Sequence, residues 1–220
     1  MRHRAAARRV REDGRVPRRL VQLYLGLVLY GASGGAILLA GLGVDPWDVL
    51  HQGLSRQTGI GVGIWVMLVG AAVLLLWIPL RQRPGLGTVS NVLVVGLVIE
   101  LMLTTLETPD DLAARWALLL GGVLFNGVAT GLYIGARLGP GPRDGLMTGY
   151  VALRGGSIRA VRTTIEVAVL VVGAVLGGTV GIGTLVYAVG IGPLAHVFVP
   201  LFEVPGARPA DPEPQPCAST

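Results

Sequence analysis

The chain has 220 residues, enough for one ordinary domain, yet 52% are hydrophobic, only 14% are charged, and mean hydropathy is +0.65. A soluble domain carries about a quarter charged residues, so this composition excludes an ordinary water-exposed surface. The formal charge of +5 rests on arginine alone, with no lysine in the chain, and eight of the 18 arginines lie in the first 19 residues.

The remaining arginines mostly flank apolar runs, which is the distribution of a membrane protein and not of a nucleic-acid groove. A lone Cys217 excludes internal disulfides, CxxC redox chemistry and cysteine-rich metal sites. Without lysine there is no P-loop. Arginine-only usage also suggests a GC-rich bacterial genome.

In chain order, a basic tail over 1–19 leads into six apolar segments: 20–41, 61–80, 88–106, 116–136, 162–180 and 184–201. Each is close to the roughly 20 residues that span a bilayer. The first has the basic flank of a signal peptide. Its apolar run is long for one, however, and it has a counterpart in mid-chain, so it is expected to be retained. Arg81 and Arg83 follow the second segment, and Arg137, Arg143, Arg154 and Arg159 follow the fourth. The other three connections hold only Arg56 and Arg115, while 107–111 is acidic and 177–183 uncharged. Arginine enriched in alternate loops predicts six spans in the plasma (inner) membrane with both termini cytoplasmic. The linker 107–115 is then external. The tail 202–220, rich in proline and polar residues, is expected to be disordered and cytoplasmic.

Adding 96 to a residue number maps 26–101 onto 122–197 without a gap, with about a quarter of the paired positions identical. The identities favour Gly, Pro and Asp over interchangeable aliphatics, which marks a duplication: 20–106 is one three-span repeat and 116–201 the other. Three is odd, so consecutive copies must enter the membrane in opposite senses. The expected fold is an all-α membrane protein of two inverted three-helix repeats.

The most specific motif is the paired turn after spans one and four. Asp45-Pro46-Trp47-Asp48 with His51, Gln52 and Gly53 pairs with Gly141-Pro142-Arg143-Asp144 with Met147, Thr148 and Gly149. Proline at the first helical position and aspartate in the first turn both suit a helix start. Gly59 and Gly155 follow too soon for a span, so 46–56 and 142–154 read as short half-helices, re-entrant or interfacial. As ligand sites they would lie at opposite mouths, with Asp48 outside and Asp144 inside. Arg143 could pair with Asp144 or meet an anion.

Glu100, Glu166 and His196 are ionisable residues inside spans, costly there and therefore functional candidates. The repeat maps Glu100 onto His196, and both are candidate relay groups. Glu166 stands four residues after Arg162 and reads as a snorkelling ion pair. Asn91 and Asn126 are candidates for bonds between helices, and Gly31-xxx-Gly35 and Gly127-xxx-Gly131 have the spacing of close helix packing. No His or Cys stands at ligand spacing, so neither a metal nor a cofactor is expected.

The run from Gly43 through Asp45, Pro46, Trp47, Asp48, His51 and Gly53 to Ser55, then Thr58-Gly59, resembles the YczE group of the bacterial YczE/YyaS/YitT membrane proteins. Trp77 to Thr88, Asn91, Gly96 and an acid at Glu100 extend the likeness, which covers roughly 20–200. Family members typically end span three with aspartate, where this chain has Glu100. The resemblance implies a bacterial inner-membrane protein, a permease or an accessory to biosynthetic systems. It brings no solute and no catalytic residues.

These readings lead to transport of a small solute, with Asp48, Asp144, Arg143, Glu100, His196 and Asn91 as substrate or relay candidates and Pro46 and Pro142 marking the helix starts. The alternative is a non-transporting accessory protein for a membrane or biosynthetic partner. An enzyme is not expected, since no nucleophile–base pair is present. The expected partners are the lipid bilayer and an unknown small solute, with a homo-oligomer left open and nucleic acid excluded.

Overall fold

The computed structural model of the chain describes residues 16–204. The basic tail up to residue 15 and the proline-rich tail from 205 on, Cys217 included, lie outside the described residues. Eight α-helices and no strands fill the described chain: α1 (Val16–Ala40), α2 (Pro46–Thr58), α3 (Val62–Trp77), α4 (Leu86–Thr105), α5 (Leu112–Gly135), α6 (Pro142–Arg154), α7 (Ile158–Val175) and α8 (Ile182–Phe202). The starts of α2, α3 and α4 recur 96 residues later as the starts of α6, α7 and α8.

Four helices, α1, α4, α5 and α8, are each long and apolar enough to cross a membrane. A fifth is added if α2 and α3, bent by 115° at their junction, count as one broken span. α3 falls short in length. α7 carries Arg159, Arg162 and Glu166 in its first half, which breaks its apolar run. The short helices α2 and α6 have 13 residues each. Each ends at a glycine of positive φ, Gly59 at 73° and Gly155 at 71°, a conformation a side chain would strain.

α1 and α5 pack along each other at the centre; α4 lies on α1 and α8 on α5. The paired small-residue spacings make these contacts. A Cβ on Gly31 would lie 2.7 Å from the Cβ of Val98, and one on Gly127 would lie 2.6 Å from that of Leu194. Only glycine lets the backbones come this close. Buried Leu23, Leu27, Ile37, Leu119 and Val123 fill the centre. There Asn126 of α5 donates to Ser33 Oγ of α1 (3.0 Å) and accepts from Tyr187 OH of α8 (3.1 Å), the bonding between helices expected of it.

Each short helix packs on the opposite half, α2 against α7 and α6 against α3. The long-range hydrogen bonds are also reciprocal. Arg19 Nε donates to Ala136 O (2.9 Å) and Arg115 Nε to Ala40 O (2.7 Å), while the Gly87 amide donates to Leu138 O and the Gly183 amide to Leu42 O, both at 2.8 Å. Every donor and acceptor in one member of a pair is displaced by 96 from its counterpart in the other. The outward faces carry Leu25, Leu97, Leu101, Val189 and Leu201 in the open. A row of exposed aliphatics of this extent suits hydrocarbon and not water.

Candidate functional site

The turn before α2 is a complete helix cap. Asp45 Oδ1 accepts from the amides of Trp47 (2.8 Å) and Asp48 (3.0 Å), and Pro46 sits where no amide is needed. One turn on, His51 Nδ1 lies 3.0 Å from Asp48 Oδ1, and both side chains are buried. α6 repeats the proline but has Gly141 in place of Asp45, and no side chain caps it. Its Asp144 accepts a long bond from Tyr133 OH (3.3 Å), and Met147 stands where α2 has His51.

The two helix starts meet. Arg143 reaches across to the other half, its Nη1 3.5 Å from Asp45 Oδ1 and its guanidinium 4.9 Å from the centre of the Trp47 ring. The pairing of Arg143 with Asp144 is therefore not the one formed, and the starts do not lie at opposite mouths. A helix start seated on the opposite half is carried inward, and both halves do this. Trp77 Nε1 fixes the α6 end by donating to Pro142 O (3.1 Å), and its ring fills the space a side chain at Gly145 would need.

Between these starts lies a cavity of about 220 Å³. Its polar lining includes Asp45, His51, Asn91, Arg143, Asp144, Arg162 and Glu166, together with the hydroxyls of Tyr30, Tyr133 and Tyr187. Tyr30 and Tyr133 stand edge to face at 5.7 Å. The rest is largely aliphatic, with Val66, Val69, Val73, Val92 and Val95 from α3 and α4. Trp47 also lines it, and its buried indole Nε1 has no hydrogen-bond partner among the described residues.

The walls are unequal. α3 and α4 cross tightly at Gly63 and Gly96, where a Cβ on Gly96 would lie 2.6 Å from Gly63 O and collide with Met67. On the other side α7 packs on α2 and α6, and α8 on α5. Gly192, the counterpart of Gly96, lines the cavity with nothing within 4 Å of its would-be Cβ.

Of the candidates from sequence, Arg143, Asp144 and Asn91 line the cavity, and Asp48 stands behind it on His51. Pro46 and Pro142 line it too. Glu100 lies elsewhere: its Oε2 accepts from the Gly63 amide (2.9 Å), so the acid of α4 caps the start of α3. His196 is exposed on α8, outside the lining. The Arg162–Glu166 pair forms at 2.8 Å as expected, but it faces the cavity. Sequence reasoning missed Asp45 and the three tyrosines as lining residues. Asp45 reads only as part of the turn motif, and no local spacing marks the tyrosines as neighbours, since they lie on three separate helices. Among the described residues no group of three or more His, Asp or Glu side chains is placed to hold a metal.

An all-helical bundle with aliphatic outer faces and a charged interior cavity defines a polytopic membrane protein with an internal site. The chain belongs to the family of unknown function DUF6198, whose model matches residues 17–200. It is 41% identical to an uncharacterized protein of Haemophilus influenzae, over 80% of this chain and 81% of that one. To the uncharacterized membrane protein YczE of Bacillus subtilis it is 29% identical, over 80% of this chain and 83% of the relative. To the uncharacterized protein YyaS of the same organism it is 28% identical, over 81% and 91%. The likeness drawn from the Gly43–Ser55 and Trp77–Thr88 runs therefore holds. No solved structure gives a significant match.

Proposed function

We propose that this is a small-solute transporter of the bacterial plasma membrane, without enzymatic activity, built as two inverted three-span repeats. α1, α3 and α4 are the spans of one repeat and α5, α7 and α8 those of the other, with α2 and α6 as half-helices and both termini cytoplasmic. The observation that carries the reading is the meeting of the two half-helix starts, Asp45 with Arg143, at one cavity between the halves. Broken helices that present their starts at a repeat interface are the usual architecture of a transporter's binding site. Hydrogen bonds that recur with donor and acceptor exchanged between halves support a two-fold relation between the repeats. α3 and α7 are the short spans, about 24 and 27 Å at 1.5 Å per residue. Tilt of their neighbours and local thinning accommodate such lengths at modest cost.

The inequality of the walls also fits. With α3 closed on α4 and α7 apart from α8, the molecule would represent one of two states related by exchanging the roles of the halves, and passage between them would expose the cavity to each side in turn. The test places a cysteine at Ala195, in the lining, on a Cys217→Ser background. An impermeant thiol reagent is then applied to vesicles of each orientation. Labelling from both faces is expected of a transporter. Labelling from one face only, under all conditions, would sink the transport reading in favour of an accessory protein.

A further inference from the structure

Resting on the transport reading of this cavity, the structure supports a statement about its cargo. Its charged lining contains three carboxylates, Asp45, Asp144 and Glu166, and two arginines. Arg143 is engaged by Asp45 and by the Trp47 ring, and Arg162 by Glu166. His51 is taken by Asp48. Asp144 makes no ion pair of its own among the described residues: Arg162 and Arg143 are near enough to act on it but are each paired elsewhere, and its one side-chain bond is the 3.3 Å contact from Tyr133. The repeat shows a difference in hydrogen bonding: the equivalent aspartate, Asp48, has His51 one turn on as a partner, whereas Asp144 has Met147 there.

Three carboxylates against two arginines leave the lining one acidic group in excess, which is costly away from water, and a bound cation offsets that cost. The surroundings suit an organic cation and not a metal ion. Tyr30, Tyr133 and Tyr187 line the same cavity, and aromatic faces attract ammonium groups. Valines from α3 and α4 offer the remaining wall to an apolar body. We propose that the cavity binds a monovalent organic cation, an ammonium group on a compact apolar body, with Asp144 as its counter-charge and the tyrosines around it.

The experiment titrates benzyltrimethylammonium, and phenylacetate as an anion of similar size, into the full chain in nonionic detergent by calorimetry. The cation is expected to bind the wild type and Asp144→Glu, and to bind Asp144→Asn about tenfold or more weakly. Glu166→Gln leaves Asp144 in place but releases Arg162 to pair with it, so it should also weaken the cation. This variant keeps the test decisive where Asp144→Asn fails to fold. Equal binding of the cation to wild type and Asp144→Asn, preference for phenylacetate, or no binding of the cation to folded protein would overturn the proposal. A cation that binds with this pattern but is not taken up by proteoliposomes would refute transport and leave the site standing. Labelling of Ala195→Cys from both faces without cation binding would do the reverse.

Discussion

Arg143 shows at the level of single residues how this site departs from its sequence pattern. It occupies the place of Trp47 in the other repeat, stacks on that same Trp47, and pairs with Asp45, whose own counterpart is Gly141. The chemistry of the cavity thus comes from positions where the halves differ. Asp45 is 7% exposed, so removing Arg143 leaves a carboxylate that water barely reaches. Arg143→Met is expected to lower stability by about 3 kcal/mol, the cost of a buried charge left alone. The double variant with Asp45→Asn should cost less than the two single changes added together, which a double-mutant cycle by thermal unfolding would measure. Additive losses would show that the 3.5 Å pair carries no coupling.

Gly96 and Gly192 make the corresponding comparison between elements, being equivalent by repeat yet opposite in packing. Gly96→Ala forces α4 off α3 and is expected to lower the melting temperature, with a cost of roughly 1–3 kcal/mol for overpacking. Gly192→Ala meets nothing and should be neutral or slightly stabilising, since alanine is the better helix former. Equal effects would mean that the two walls are packed alike. Glu100 also acts at this scale. Glu100→Gln weakens the cap on α3, and a loss of about 0.5–2 kcal/mol is expected in the same assay.

Helix positions were legible from the sequence because hydropathy, proline and glycine act locally. Pro46 and Pro142 start their helices, Gly59 and Gly155 end theirs, and the starts of α3, α4, α7 and α8 fall within four residues of the expected spans. The direction of the half-helices was not legible. α2 packs on α7 and α6 on α3, contacts between residues at least 65 positions apart that no local pattern records. Glu166 shows the same limit: its pairing with Arg162 follows from helical spacing, while its place on the cavity wall depends on the other half of the chain.

For the whole molecule, the exchange of partners between halves is the central feature. It links the duplication at offset 96 to the convergence of both half-helix starts on one cavity. Under the proposed inverted arrangement, equivalent positions lie on opposite faces of the membrane. Pro84 and Val180 are such a pair, both exposed and both in the connection before the last helix of their repeat. On a Cys217→Ser background, Pro84→Cys and Val180→Cys would each be treated with an impermeant thiol reagent in intact cells and in inverted vesicles. Two inverted repeats require position 84 to react from the cytoplasmic side and position 180 from the external side. Reaction of both from the same side would contradict the inverted arrangement, and with it the shared central site for transport.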